Sequence, residues 1–258
     1  MDLSMYTNLF DIKYTESGAN ASSLYERHCH FRFELIAVMC GSIEIVIEGH
    51  TYKCKTGDMA VIPPLTYHSV SVGDRSEYKR ITALFDSSVL PHEISQKLIE
   101  NVKISPIFSP NPLSYLCDRL HKSLEKQNSA SYAPLADAIV LQILYTCADE
   151  VITEKIIGDS HSTDILEKAI RYIDEHITEK LSLESIAQSL FISRSSLSHI
   201  FSEKMQISPK QYIIQKKVAY ANMLIENGTS MTQAAHAIGY DNYSNFYRMY
   251  RKINTKGE

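Results

Sequence analysis

The stretch Ser182–Lys204, SLESIAQSLFISRSSLSHIFSEK, recurs in outline at Ser230–Lys252 as SMTQAAHAIGYDNYSNFYRMYRK. A repeat of this kind constrains the fold more tightly than composition can, because both copies must build the same supersecondary unit. Ala187 matches Ala235 at an offset of 48, whereas Leu197 matches Phe246 and Phe201 matches Tyr250 at 49, so the second copy holds one extra residue in its turn. Each copy follows the logic of a helix-turn-helix. A short first helix brings a small residue, Ala187 or Ala235, to the crossing point. The turn FIS or GYD ends on a residue able to cap the next helix, Ser193 or Asp241, and apolar residues four apart bury that helix on one face. Gly239 falls where the second turn calls for a positive φ. The opposite face of each second helix is free for a groove of DNA.

Between the copies, SPKQYIIQKKVAYANMLIENG reads as one helix. Ser208 caps it, Pro209 opens it, Gln211 closes a capping box as Gln233 does with Ser230, and Asn227-Gly228 stops it. Pro209 through Asn227 would span ~28 Å at ~1.5 Å per residue, against the ~34 Å that separates the recognition helices of dimeric helix-turn-helix proteins. One chain could therefore address two successive major grooves. The formal net charge of −4 conceals an uneven distribution: residues 1–160 hold 14 Lys and Arg against 20 Asp and Glu, while residues 181–258 hold 9 against 5. The repeat lies in the basic end.

Leu181–Lys252 resembles, over 72 residues, the DNA-binding domain of AraC/XylS-type transcriptional regulators, including the A…IGY…S.F.R signature of its second half. The resemblance implies a seven-helix domain that inserts two recognition helices into the major groove near promoters. Carried over position by position, it implies base contacts from Ser195, Ser198 and His199 in the first recognition helix, and from Tyr243, Ser244, Tyr247 and Arg248 in the second. Arg248 suits guanine, whose O6 and N7 a guanidinium bonds together. Lys204, Lys210, Lys216, Lys217, Arg251 and Lys252 are expected to touch phosphates or to solvate a face. Two departures stand out. Lys217 occupies a position where the family commonly has Arg, and the chain ends in RKINTKGE instead of a G-x-T-P-x-x-Y-R tail.

The front of the chain reads differently. Between about residue 5 and residue 86, short β-branched or apolar runs alternate with turn residues: SIEIVIEG, HTYKCK, DMAVIPP, YHSVSV and YKRITALF, broken at Gly41, Gly49, Gly57 and Gly73. Such spacing indicates an antiparallel sandwich or barrel. The pattern changes near Pro91. From Asn111-Pro112, Leu113, Leu116, Leu120 and Leu124, then Leu135, Ile139, Ile143 and Leu144, fall at helical spacing and predict an antiparallel helical hairpin. This stripe suggests a dimer contact, with packing on the barrel as the equal alternative. Ile157–Thr163 is the expected linker.

His28-x-His30-x3-Glu34-x6-Gly41 followed by Gly57-x5-Pro63-x4-His68 resembles the two cupin motifs, and AraC-type regulators often carry such a barrel as sensor. The cupin pattern expects Gly at Leu65 and Asn at Val72, and both are missing, but all four ligand positions are filled. On one straight strand at ~3.3 Å per residue, Glu34 would lie ~13 Å from His30, so a shared ion requires the chain to turn within Phe31–Phe33. If it does, three imidazoles and a carboxylate suit a divalent Zn, Mn, Fe or Ni ion. The alternative is a polar patch, bonded within itself, lining an effector pocket. Tyr25, Phe31, Phe33 and Tyr67 are near these positions and could supply apolar walls for a small ligand or plain core.

These observations predict an α+β multidomain protein. Residues 1–90 form a cupin-like effector-sensing β-barrel, 91–157 a helical hairpin for dimerisation, and 158–258 an all-α double helix-turn-helix domain. The expected function is sequence-specific transcription regulation under a small-molecule effector, with double-stranded DNA as partner and a homodimer as assembly. RNA polymerase is admitted as a further partner, and target genes are either switched on, as by an activator, or switched off. The rival reading is a cupin metalloenzyme with a helical appendage. The N-terminus lacks a basic, then apolar signal segment, and AIVLQILYTCA is too short to cross a bilayer, so a cytoplasmic protein is expected. Cys29, Cys40, Cys54, Cys117 and Cys147 form no CxxC pair and are expected to be reduced, buried small hydrophobes.

Overall fold

A computed structural model describes residues 2–17, 27–72, 78–109, 113–126, 130–150 and 161–254. The front of the chain forms strands β1 (Asp2–Tyr6), β2 (Asp11–Ser17), β3 (Phe33–Cys40), β4 (Ser42–Ile47), β5 (His50–Lys55), β6 (Met59–Ile62), β7 (His68–Val72) and β8 (Tyr78–Phe85), with a short β9 (Ile107–Phe108) added later. They make two antiparallel sheets, ordered β1-β2-β8-β3-β6-β9 and β5-β4-β7. The sheets are not joined into a closed ring of strands. They face each other in the double-sheet manner of a cupin-like jelly roll.

Strand alternation assigns the faces. On β3, Ile36 and Val38 point between the sheets to meet Ile43 and Ile45 of β4 and Val70 of β7. Phe33, Leu35 and Ala37 point the other way, into a second core. That second core is completed by α1 (His92–Ile104), α2 (Leu113–Leu124) and α3 (Ala133–Asp149). Because β3 is covered on both faces, it reads as a nearly unbroken apolar run with one exception, Glu34. Each fully buried Ile or Leu in these layers contributes ~1.5–3 kcal/mol relative to exposure.

Three sequence expectations are modified here. The hairpin is preceded by α1, whose Ile94, Leu98 and Val102 recur four apart and pack on the same core. Leu116, Leu120 and Leu124 are buried against the sheet and α3, so this stripe is spent within the chain and is not a dimer contact. The Asn111-Pro112 cap and residues 157–160 of the linker lie outside the described residues, and His161–Thr163 already belong to a helix. Of the five cysteines, Cys54, Cys117 and Cys147 are buried while Cys29 and Cys40 are half-buried, and all five are free thiols.

The rest of the chain is helical: α4 (His161–Glu175), α5 (Leu183–Ser189), α6 (Arg194–Ile200) running into a π-helical turn at Phe201–Met205, α7 (Pro209–Glu226), α8 (Met231–Ala237) and α9 (Tyr243–Asn254). The capping boxes Ser208/Gln211 and Ser230/Gln233 form as the sequence predicts, and Ser193 accepts from the Ser196 amide at 3.0 Å. In the second turn the cap is Asn242, which accepts from the Asn245 amide at 3.0 Å. Asp241, expected to cap, instead pairs with Lys180. The one-residue shift of the cap absorbs the extra residue of the second copy. Residues 255–258 lie outside the described residues.

Candidate functional sites

The two recognition helices are anchored by residues the repeat placed in register. Leu197 and Phe201 in the first, and Phe246 in the second, are fully buried, and Ala187 and Ala235 are buried at the crossings. This orientation leaves Ser195 and His199 of α6 exposed, with Ser198 half-buried. On α9, Tyr243, Ser244, Tyr247 and Arg248 are all exposed and, with Arg251 and Lys252, line one concave surface. The rings of Tyr243 and Tyr247 stack at 5.9 Å. Lys210, Arg251 and Lys252 are exposed, and Lys204 is half-buried, its Cβ 3.5 Å from where a side chain on Gly49 would begin.

Lys216 and Lys217 do not belong to this basic surface, contrary to the sequence expectation: both are buried. Lys217 Nζ donates to the carbonyls of Glu179 and Ile238 and so ties the second helix-turn-helix to the segment after α4. Lys216 reaches into the N-terminal domain. Its Nζ lies 2.7 Å from Asp174 Oδ1 and 3.5 Å from Glu48 Oε1, and it donates to the Leu65 carbonyl. Glu48 also accepts from the Tyr212 hydroxyl at 2.9 Å and from the Tyr67 amide at 2.9 Å. Burial alone would lower the Lys216 pKa, but Glu48 and Asp174 raise it above the ordinary value. The ammonium stays charged because two carboxylates and a carbonyl replace its water. Nothing local in the sequence marks Glu48 or Lys216 as partners, since 168 residues separate them.

The chain does turn ahead of β3, and the four cupin-like positions converge. His28, His30, Glu34 and His68 each offer a ligand atom, and those atoms lie within 4.8 Å of one another. Glu34 is the inward polar residue of β3, and His68 opens β7 on the same side as Val70. His28 and His68 exchange backbone hydrogen bonds at 3.0 Å, and the Leu65 amide donates to the His30 carbonyl at 2.7 Å. Leu65, where the pattern expects Gly, adopts a left-handed φ of 59°.

The ring nitrogens are constrained in turn. Nδ1 of His30 lies 2.9 Å from the Arg32 carbonyl, and Nδ1 of His68 lies 2.9 Å from the Thr66 carbonyl. A carbonyl only accepts, so each Nδ1 carries a hydrogen. Both Nε2 atoms then face a single oxygen, Glu34 Oε2, at 3.1 and 3.0 Å. Burial pushes the Glu34 carboxyl up, but the bonds to His30 and His68 outweigh it and hold the group well below the usual range. Burial likewise lowers His68, and Glu34 reverses the shift to a net rise.

Of the four aromatic residues near this cluster in sequence, Phe33 and Tyr67 pack away from it, as core. Phe33 faces the opposite side of the sheet, stacks on Phe85 at 5.1 Å and borders a cleft of about 600 Å³ with Pro63, Leu90 and Ile99. Tyr67, the neighbour of His68, points outward and meets Tyr212 of α7 edge-on at 5.6 Å. The half-buried Phe31 carries the Arg32 guanidinium over its ring at 5.9 Å. Tyr25 lies outside the described residues.

Comparison with known families matches residues 12–144 to the AraC-like ligand binding domain and residues 186–255 to a helix-turn-helix domain. The first of these alone covers more than half of the chain. The chain belongs to the AraC family of transcriptional regulators. Among its relatives, the uncharacterized HTH-type transcriptional regulator YijO of Escherichia coli (strain K12) is 26% identical over 220 residues, 81% of this chain and 76% of YijO. YobQ of Bacillus subtilis (strain 168), an uncharacterized HTH-type regulator, is 24% identical over 230 residues, 89% and 85% of the two chains. The lactose operon transcription activator of Staphylococcus xylosus is 22% identical over 208 residues, 74% and 70%. ToxT of Vibrio cholerae O395 is a similar solved structure at 11% identity and a TM-score of 0.42, covering 95% of this chain and 93% of ToxT. As an AraC-family regulator the protein binds DNA through its helix-turn-helix domain and a small-molecule effector through its N-terminal domain. The relatives named here are transcriptional regulators, and neither they nor the two domain matches support the metalloenzyme alternative. No helix among the described residues is long and apolar enough to cross a membrane.

Proposed function

We propose that this AraC-family regulator reads its operator through Ser195, Ser198 and His199 on α6 and Tyr243, Ser244, Tyr247 and Arg248 on α9, with Lys204, Lys210, Arg251 and Lys252 on phosphates. The observation that carries this reading is the division of α9: Phe246 is buried, while the four residues named on that helix are exposed on one surface. Side chains on such a face can meet base edges in the major groove, and the flanking cations fix register on the backbone. The effector acts by changing the affinity of the N-terminal domain for the DNA-binding domain, through the contacts among Glu48, Lys216, Tyr67 and Tyr212, and so shifts the population free to engage both grooves.

Titration of duplex binding against salt tests the reading. Counterion release predicts that affinity falls steeply as salt rises, and a chain whose affinity is flat with salt, or absent, is not such a regulator. The protein acts in the cytoplasm as a homodimer and contacts RNA polymerase at the promoters it controls. Exposed Tyr115 on α2 and Tyr145 on α3 offer apolar surface for self-association on the outer side of the hairpin. Sedimentation at micromolar concentration that finds only monomer, with and without DNA, removes the dimer.

A further inference from the structure

We infer that His28, His30, Glu34 and His68 bind a divalent first-row transition-metal ion, and that the ion fastens together the two chain segments on whose other side the DNA-binding domain is docked. The inference rests on the reading above that the N-terminal domain governs the DNA-binding domain.

The donor set comes first. With a hydrogen fixed on each Nδ1, neutral His30 and His68 rings would aim two Nε2 lone pairs at the lone pairs of Glu34 Oε2, at 3.1 and 3.0 Å. Positive charge between these atoms is required. A metal ion supplies it at once, and an imidazole whose other ring N–H donates to a backbone carbonyl is the usual arrangement of a ligating histidine. The separations also suit an ion. Metal–nitrogen distances of ~2.0–2.1 Å put tetrahedral ligand atoms about 3.3 Å apart, and all four donor atoms here lie within 4.8 Å of one another. His68 is buried and Glu34 nearly so, at side-chain exposures of 1% and 12%, whereas His28 is exposed and leaves a route for entry. Three imidazoles with one carboxylate select borderline ions of the zinc type over calcium or magnesium.

The coupling follows from alternation along two short segments. In 27–30, His28 and His30 belong to the cluster, while Cys29 packs on the core of the DNA-binding domain and Arg27 donates to the Met205 carbonyl and, at 2.7 Å, to Gln206. In 65–68, His68 belongs to the cluster, while Tyr67 packs on Tyr212 and the Leu65 carbonyl accepts from Lys216. The segments are bonded to each other through His28 with His68 and Leu65 with His30. Every ligand except Glu34 therefore has a sequence neighbour that holds α7 or the end of the first recognition helix. An ion that immobilises the ligands immobilises those neighbours, and the docked arrangement becomes the favoured one.

The test uses the full chain stripped with a chelator. Zinc(II) is added in a calorimeter, and cobalt(II) is added as a spectroscopic probe whose visible bands report a nitrogen- and oxygen-ligated site. One high-affinity equivalent is expected, weakened by more than ~10-fold in Glu34→Gln and in His28→Ala, the loss that disturbing even an outer partner of a metal site produces. His28 is exposed, so the second variant keeps its fold. No saturable binding, or binding that both variants retain, overturns the site and leaves the histidines as imidazolium partners of Glu34. Hydrogen exchange in 201–216 is followed in parallel: slower exchange with zinc in the wild type, and none of that slowing in Glu34→Gln, is the expected result. Zinc binding that leaves 201–216 unaltered overturns the coupling. Failure to bind DNA in either metal state would instead undo the regulator reading while the metal titration stood.

Discussion

Phe191 and Gly239 occupy equivalent places in the two helix-turn-helix turns, and both are left-handed, at φ 55° and 81°. The repeat thus demands the same backbone from a residue that adopts it freely and from one that resists it. Phe191 is also 96% exposed, so its ring gives nothing back in packing. A left-handed non-glycine residue costs ~1–2 kcal/mol, and Phe191→Gly is expected to raise stability by up to about 1 kcal/mol after glycine's own entropy is counted. Gly239→Ala goes the other way, because its Cβ would lie 2.9 Å from the Glu179 backbone. Thermal unfolding of the two variants should move in opposite directions.

Lys216 supplies a second prediction. Removing one partner of a buried ion pair leaves the other uncompensated, at a cost of ~3–5 kcal/mol when burial is complete. Asp174 is 47% exposed, which tempers the loss, so Lys216→Ala should cost about 2 kcal/mol in chemical denaturation. Its DNA affinity should change without any change in salt dependence, since the ammonium meets carboxylates and not phosphates. Lys216→Met combined with Glu48→Gln should recover part of the stability.

Arg248 and Arg251 lie three residues apart on α9, and they should differ in kind. Arg248→Ala is expected to lose ~1–3 kcal/mol at particular base pairs and relax specificity there. Arg251→Ala should weaken all sequences alike and reduce the salt slope by about one. Binding to a library of duplexes at several salt concentrations separates the two, and equal, uniform losses would remove Arg248 as a base reader.

Lys217 makes stability depend on alkaline pH. Burial lowers its pKa from the ordinary 10.5 to about 8, with Glu179 acting in the opposite sense. Between those values the unfolded chain binds more protons than the folded one, so stability rises as pH goes from about 8 towards 10.5. Lys217→Gln should lack that rise, as read from denaturation midpoints at about pH 7.5 and about pH 9.5.

Much of the fold is legible in the sequence wherever the controlling interaction spans only a few residues. The capping boxes at Ser208 and Ser230, the stop at Asn227-Gly228 and the runs HTYKCK and YKRITALF, now β5 and β8, all rest on neighbours a few residues apart. The cap of the second turn falls one residue beyond Asp241, at Asn242, because both side chains can cap and the extra residue of the second turn decides between them. The Leu116/Leu120/Leu124 stripe was equally visible, but periodicity says only that a face is apolar and does not say what covers it.

The sequence by itself determined the doubled groove-reading unit, the rod between its halves and the four metal-type side chains, because local periodicity and residue chemistry fix those. Only the tertiary structure decided that Lys216 is an internal ammonium and not a phosphate contact, and that Tyr67 looks away from the cluster its neighbour His68 helps to form. A lysine's burial depends on carboxylates brought from 42 and 168 positions away, and the face a strand residue occupies depends on which layer packs against it. Both are settled by how the two domains close on each other.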